Sequence, residues 1–146
     1  MKICMIGTGY VGLVSGTCFA DIGHQVYCID KDASKINKLN SGISPIYEQG
    51  LDELIQINYK ATRLTFTTNL KQAIIASDII FICVGTPNIK GSLKVDLSSV
   101  FKCTKEILSI TKKKKIIVTK STVPVGTGDQ IENVIKKKTK IIFSNI

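Results

Sequence analysis

Three glycines stand near the start of the chain in the segment GTGYVG, directly behind the apolar run Lys2–Ile6. Gly7 would permit a tight turn out of a strand, Gly9 would let a ligand approach the backbone, and Gly12 would let a helix pack close to a sheet. The amide groups at the start of that helix would then face an anion, which the helix dipole also favours. The spacing G-x-G-x-x-G alone is common, so its meaning depends on the elements around it.

An acidic residue, Asp30, follows the next apolar run, Gln25–Ile29, at about the distance typical of a dinucleotide site. Its carboxylate would accept hydrogen bonds from ribose hydroxyls and repel a 2′-phosphate, so the pattern favours NAD over NADP. The basic neighbour Lys31 weakens that preference. Asp30 would alternatively be a helix N-cap, although Asp32 is better placed for capping. Lys35 fits a ribose contact and a solvated surface lysine equally well.

Apolar runs and helical patterns alternate along the chain and would position these residues. Strands are predicted at Lys2–Ile6, Gln25–Ile29, Leu64–Thr67, Ile79–Val84, Ile116–Thr119 and Ile141–Phe143. Helices are predicted at Tyr10–Ile22, Ala33–Asn40 and Leu51–Tyr59, from the N-cap Asn69 through Ala76, from the N-cap Asp96 through about Ile110, and at Thr127–Lys138. The apolar face predicted for the first helix consists of Val11, Val14, Cys18 and Ile22.

This alternation predicts an α/β fold, namely a Rossmann-like, doubly wound parallel sheet of about six strands with helices on both faces, in three layers. In the strand order 3-2-1-4-5-6, ligands bind at the carboxyl edge, where the order reverses. The segments GTGYVG, DKD, GTP and STVPVG all fall at that edge. Thr86 would lie over the cofactor there, or would belong to a simple Gly-Pro strand stop. His24 falls at the opposite edge and is interpreted as a surface turn residue.

The composition indicates the broad class of protein. The chain has 146 residues, a net charge of +9 and 44% hydrophobic residues, which is typical of one soluble globular domain. Its apolar runs are too short for a membrane span and its start does not resemble a signal peptide, so a cytoplasmic location is expected. The runs Lys112–Lys115 and Lys136–Lys138 are interpreted as solvated helix ends and loops. A nucleic-acid surface is disfavoured because Arg63 is the only arginine and exposed aromatic residues do not accompany the runs.

The five cysteines lack the spacing of a metal site or a redox motif, so they are expected to be buried free thiols and no metal site is predicted. They are Cys4, Cys18, Cys28, Cys83 and Cys103.

Longer segments carry a more specific signal than the glycines. The segments MKICMIGTGYVGLVSGTCFADIGHQVYCID, KINKLNSGISPIYEQGL, RLTFTTNL, FICVGTP and VTKSTVPVGTGD together resemble the N-terminal domain of the UDP-glucose 6-dehydrogenase family, within the UDP-glucose/GDP-mannose dehydrogenase superfamily. The resemblance covers essentially all of residues 1–146, in order. It implies an NAD-binding Rossmann domain of an enzyme that uses two NAD to oxidise UDP-glucose to UDP-glucuronate.

The resemblance also implies roles for individual residues. Carried over by position, Gly7, Thr8, Gly9, Tyr10, Val11 and Gly12 would form the pyrophosphate turn, Asp30 and Lys35 would hold the adenosine ribose, and Thr86 and Thr122 would border the nicotinamide. Thr122 would order an active-site water, since a hydroxyl both donates and accepts. From the residues alone, it fits a turn residue before Pro124 equally well. Gln49 replaces the proline usual in the family's YE-x-GL loop, which leaves that loop less rigid.

The family's nucleophilic cysteine belongs to a sugar-nucleotide domain that follows a linking helix, and none of the five cysteines here matches it. We therefore expect the chain to be the NAD-binding part of such an enzyme, inactive alone, and one piece of a split or truncated gene. A C-terminal fragment from a neighbouring gene would be its partner, and family members are homo-oligomers. The alternatives are a non-catalytic NAD-binding module and a dehydrogenase for another nucleotide sugar, such as GDP-mannose or a UDP-amino sugar.

Overall fold

Strands and helices alternate through residues 1–138, which are the residues that the computed structural model describes. The strands are β1 (Lys2–Ile6), β2 (Gln25–Ile29), β3 (Leu64–Thr67), β4 (Ile79–Ile82) and β5 (Ile116–Thr119). The helices are α1 (Tyr10–Asp21), α2 (Ala33–Asn40), α3 (Leu51–Lys60), α4 (Leu70–Ala76), α5 (Ser98–Ile110) and α6 (Thr127–Lys138). The strand predicted at Ile141–Phe143 lies outside the described residues.

The strands form one parallel sheet in the order β3-β2-β1-β4-β5. In the central strand β1, Ile3 pairs with Val26 of β2 on one side and with Ile79 of β4 on the other. The order therefore reverses between β1 and β4, as predicted for the five strands described. Because the strands are parallel, their carboxyl ends and the loops that follow them meet at one edge.

Two buried clusters fill the space between the sheet and its helices, which gives the three predicted layers. One cluster joins the sheet to α1, α2 and α3 and contains Leu13, Leu39 and Ile55. The other joins it to α4, α5 and α6 through Ile74, Ile107 and Ile131. Burial on both faces explains the continuous apolar runs of the strands.

The inward face of α1 differs from the predicted one. The buried residues are Gly12, Leu13, Gly16, Thr17 and Ala20. Of the predicted residues, Val11, Cys18 and Ile22 are exposed, and only Val14 packs against the core. An added Cβ at Gly16 would lie 2.7 Å from Sγ of Cys28. The prediction was wrong because a helix this close to its sheet presents small side chains, whereas apolar periodicity selects large ones.

The ends of several helices confirm their predicted caps. Asp32 caps α2 and Asn69 caps α4 through side-chain oxygens that accept backbone N–H bonds. Asp96 lies one residue before the cap position of α5, and its Oδ1 accepts the N–H of Ser98 at 2.8 Å. This shift of one residue leaves the capping function of the aspartate intact.

The run Lys112–Lys115 was predicted to be solvated, but one of its lysines, Lys115, is bound to the protein. Nζ of Lys115 donates hydrogen bonds to the carbonyl oxygens of Ile75, at 3.2 Å, and of Ser77. These carbonyls lie at the C-terminal end of α4, where a positive charge is favourable. Burial lowers the pKa of Lys115 below its ordinary value, although the nearby Asp78 carboxylate opposes this shift. The remaining lysines of the run, 112–114, are exposed.

The helices within residues 1–138 do not combine the length and apolar character that crossing a membrane requires.

Candidate functional site

The turn that leaves β1 requires glycine at two positions. Gly7 has a φ of +109°, and a Cβ there would lie 2.5 Å from the carbonyl oxygen of Cys83 after β4. At Gly12, in the first turn of α1, a Cβ would lie 1.8 Å from the carbonyl oxygen of Gly7. Both contacts are with backbone atoms, which have little freedom to move. The start of α1 therefore packs directly onto the turn, as the spacing of the glycines predicted.

Gly9 is different because the fold does not require it. Its φ is −77°, which any residue adopts, and a Cβ added there would meet nothing within 4 Å. The missing side chain leaves open space in front of the backbone. This is the arrangement expected where a ligand comes close to the main chain.

The N-terminus of α1 has no side-chain cap. Gly9 is its N-cap residue and provides no side-chain hydrogen bond, and the first turn contains no acidic residue. In contrast, Asp32 caps α2. The first N–H groups of a helix have no partner within the helix, and the dipole places partial positive charge there. These open N–H groups, together with the space at Gly9, fit a pyrophosphate group.

Asp30 connects the end of β2 to the glycine turn. Its Oδ2 accepts the N–H of Thr8 at 3.0 Å and the Thr8 hydroxyl at 2.8 Å. Its Oδ1 accepts the N–H of Asp32 at 3.0 Å, and Nζ of Lys35 lies 3.8 Å from Oδ2. Burial raises the pKa of Asp30, but these hydrogen bonds and Lys35 outweigh burial and hold the pKa below its ordinary value. The carboxylate is thus ionised and held beside the turn.

The loops after β4 and β5 are tied to each other by two hydroxyl groups. The Thr86 hydroxyl donates to the carbonyl oxygen of Thr122 at 2.7 Å. The Ser121 hydroxyl donates to the carbonyl oxygen of Val84 at 2.7 Å. Thr86 therefore has a specific partner across the edge, which a simple strand stop would not require. The side chain of Thr122 is exposed at the same place.

A cleft of about 730 Å³ runs along this carboxyl edge. Eight of the predicted site residues line it, namely Gly7, Gly9, Tyr10, Val11, Asp30, Lys35, Thr86 and Thr122. Thr8 and Gly12 are buried behind its surface, where Thr8 is bound to Asp30. The volume is in the range of small-molecule sites.

Sequence reasoning missed the wall that α5 contributes to the cleft. This wall consists of Ser99, Lys102, Cys103 and Glu106, and Thr68 and Leu70 lie beside it. The spacing 99, 102, 103 and 106 corresponds to one stripe of a helix. Because α5 follows β4, whose end lies at the site, the position of this helix in the chain was a usable signal.

The cysteine thiols at the cleft are not activated for nucleophilic attack. Cys83 and Cys103 line it but are buried, and burial raises the pKa of each thiol to about 12. The expectation of five buried thiols was wrong for Cys18, which is exposed on α1, although it does not line the cleft. His24 precedes β2 at the opposite edge, with its ring 6.5 Å from that of Phe19. A reactive thiolate, which is what a nucleophilic cysteine requires, is therefore not found among residues 1–138 at this site.

The glycine turn, the anchored acid and the cleft at the reversal of strand order define a dinucleotide-binding domain of the Rossmann class. Residues 1–145 match the model of the UDP-glucose/GDP-mannose dehydrogenase family, NAD binding domain, and the chain belongs to this family. NAD is the cofactor of that domain class.

Known relatives agree with this assignment. The chain is 54% identical to UDP-glucose 6-dehydrogenase of Rhizobium meliloti over 137 residues, which is 94% of the chain and 31% of the relative. It is 52% identical to UDP-glucose 6-dehydrogenase TuaD of Bacillus subtilis, over 98% of the chain and 31% of the relative. The solved structure of GDP-mannose dehydrogenase from Pseudomonas aeruginosa superposes with a TM-score of 0.89 at 37% identity, covering 99% of the chain and 35% of that structure. The chain thus spans about a third of the length of each of these three proteins.

Proposed function

We propose that the chain binds NAD in the cleft, with the pyrophosphate on the turn Gly7–Gly12 and the adenosine ribose on Asp30. The observation that carries this proposal is the open space at Gly9 beside the uncapped N-terminus of α1, because the fold alone requires neither. Lys35 lies next to Asp30 and would share the ribose contact. The carboxylate disfavours a 2′-phosphate, which supports NAD over NADP.

We further propose that the chain is the cofactor-binding part of an enzyme that oxidises UDP-glucose to UDP-glucuronate with two NAD. Support comes from the two relatives that share about half of their aligned residues with this chain, both UDP-glucose 6-dehydrogenases. NAD supplies the hydride acceptor in such a reaction. Thr86 and Thr122 would border the nicotinamide, and the exposed Thr122 hydroxyl would hold a water molecule there.

Oxidation of the alcohol to a carboxylate passes through an aldehyde, and the cysteine nucleophile that would attack this aldehyde would come from another part of the enzyme. The thiols at the cleft are buried and protonated, so they are unsuited to nucleophilic attack. We propose that a polypeptide corresponding to the other two thirds of the relatives, from the same chain or another one, supplies the nucleophile and binds the sugar nucleotide. The residues 1–146 would act as its NAD-binding domain, in the cytoplasm, where free cysteines such as these persist.

Two experiments in sequence test these proposals. Calorimetric titration with NAD should show binding, and NAD at 100 times its Kd should raise the free energy of unfolding by roughly 2.7 kcal/mol. NADH production from UDP-glucose should then be absent with the 146-residue chain alone and appear when the other two thirds of a relative are added. Absence of NAD binding would contradict both proposals. Binding without any complemented activity would leave a non-catalytic NAD-binding module as the function.

The sugar substrate is a separate question. A solved structure of similar fold is a GDP-mannose dehydrogenase, and a UDP-D-ManNAc dehydrogenase from Pyrococcus horikoshii superposes with a TM-score of 0.90 at 25% identity. The complemented assay should therefore include GDP-mannose and a UDP-amino sugar. Faster turnover with either one than with UDP-glucose would overturn the choice of UDP-glucose.

A further inference from the structure

We propose that α5 recognises the adenine base of the cofactor, and that the Glu106 carboxylate accepts the hydrogen bond of its exocyclic amino group. This inference rests on the proposed binding of NAD. It concerns a wall of the cleft to which neither the sequence pattern nor the resemblance assigns a role.

The strand order sets the direction in which the ligand lies. Along the carboxyl edge, β3-β2-β1-β4-β5 places Thr68 first, Asp30 next, then the glycine turn, Thr86 and Thr122. With the ribose on Asp30 and the pyrophosphate on the turn, the base attached to that ribose continues away from the turn. It therefore enters the part of the cleft bordered by Thr68, α4 and α5.

The walls of that part suit a flat base with a polar edge. Ile29, Leu70 and Cys103 give it apolar surface, and all three belong to the buried cluster under α4 and α5 or pack against it. Polar groups come from Ser99, Lys102 and Glu106, which lie on one stripe of α5. An adenine ring would stack on the apolar residues and direct its amino edge toward the stripe.

On this stripe of α5, Glu106 carries a negatively charged carboxylate, which is a strong hydrogen-bond acceptor for an amino group. It is half-buried, and it also borders a shallow groove on the outer side of α5, so it stands at the rim of the cleft. Within residues 1–138, its side chain has no hydrogen bond or ion pair that would occupy it. A carboxylate accepts hydrogen bonds only, so it favours an amino group and repels a carbonyl oxygen at the same position of the base.

The test uses nicotinamide hypoxanthine dinucleotide, which carries an oxo group where NAD carries the amino group. The 146-residue chain should bind NAD with a Kd about tenfold lower than that of the analogue, as expected for one charge-assisted hydrogen bond at a solvent-accessible rim. Glu106→Ala removes the acceptor and retains a good helix former, so the ratio of the two Kd values should fall to about one.

Glu53→Ala is the matched control, because Glu53 is an exposed glutamate in the first turn of α3 and does not line the cleft. It should leave the tenfold ratio unchanged. Equal affinity of the unmodified chain for both dinucleotides would overturn the role of Glu106 while leaving NAD binding in place, and so would an unchanged ratio in the Glu106 variant. If NAD itself did not bind, the proposed function would fall as well.

Discussion

At the scale of single residues, the three glycines of the turn serve two different purposes. Gly7 and Gly12 relieve contacts with backbone atoms inside the protein, whereas Gly9 leaves room outside it. Fold and binding can therefore be separated by mutation within a segment of six residues.

We expect Gly12→Ala to reduce mainly stability and Gly9→Ala to reduce mainly NAD affinity. The new Cβ at position 12 would overlap the carbonyl oxygen of Gly7, so this variant should lose about 3 kcal/mol of unfolding free energy. The Cβ at position 9 meets nothing in the protein, but alanine is a poorer N-cap residue than glycine, so the variant should lose no more than about 1 kcal/mol of unfolding free energy. Its NAD affinity should nevertheless fall by about tenfold or more, because the methyl group enters the ligand's space. Urea unfolding and calorimetric titration measure the two effects.

Gly128→Ala is the control for this pair, since its Cβ meets nothing within 4 Å and Gly128 does not line the cleft. It should leave NAD affinity unchanged and should not lower the unfolding free energy, because alanine is the better helix former at this position of α6. A Gly9 variant with normal NAD affinity would show that the open space there has no function.

Asp30 should make stability depend on pH in the acid range. Its pKa is lower in the folded chain than the ordinary value of about 4, so the ionised form stabilises the fold. This contribution is complete above the ordinary pKa and is lost as the pH falls through the lower, folded-state value. Urea unfolding between pH 6 and pH 2.5 measures this effect. The free energy of unfolding of the wild-type chain should exceed that of Asp30→Asn most at pH 6, and the difference between the two should narrow below pH 4. A difference independent of pH would contradict the stabilising role of the charge.

The positions of these residues could be predicted from sequence, but their contacts could not. The spacing of Gly7, Gly12 and Asp30 along a strand–helix–strand unit sufficed to place them at one edge. The double hydrogen bond from Thr8 to Asp30 joins residues 22 positions apart and depends on the register of β1 and β2. Glu106 was missed as a cleft residue because helical periodicity does not say which stripe of a helix lines a cleft.

At the scale of elements, the ends of helices show how polar side chains complete the fold. Three aspartate and asparagine residues, Asp32, Asn69 and Asp96, satisfy N–H groups at helix starts. Lys115 does the equivalent for carbonyl oxygens at the end of α4. It reaches them from the residue that precedes β5 and so joins the end of α4 to the start of β5.

Lys115→Met should therefore lower the unfolding free energy by about 1 kcal/mol, since the variant keeps the length of the side chain but loses the charge and its donors. The neighbouring Lys114→Met is the control, because Lys114 is exposed, and it should change stability by less than about 0.5 kcal/mol. Chemical denaturation of both variants gives the comparison. Equal losses in the two variants would show that the contact at α4 contributes nothing.

The order and type of the elements followed from the sequence because apolar runs and helical stripes have different periods. The inward face of α1 did not follow, since Gly16, Thr17 and Ala20 are selected for size rather than for hydrophobicity. Local pattern therefore predicts which segment is a helix more readily than which side of it meets the sheet.

At the scale of the whole molecule, the charge of +9 creates a positive field that an anionic ligand meets before contact. Three lysines, Lys31, Lys35 and Lys102, line the cleft itself. The field and the uncapped helix act in the same direction, because both favour the phosphates of a dinucleotide.

Binding of NAD should accordingly weaken with salt, by about threefold in Kd between 0.05 M and 0.5 M sodium chloride. Adenosine, which has no phosphate, is the control ligand, and its Kd should stay constant over the same range. A salt response shared by both ligands would point to a general effect on the protein instead of attraction between the phosphates and the lysines.

The bond between Asp30 and Thr8 has a consequence for redesign of cofactor preference. Exchanging the acid for a small or basic residue is the obvious way to admit a 2′-phosphate, yet here the same carboxylate holds the segment on which the phosphates would rest. Such an exchange would relax the turn as it opened the ribose pocket. Successful variants would have to anchor Thr8 by a new donor–acceptor pair, so a switch to NADP requires at least two coordinated changes.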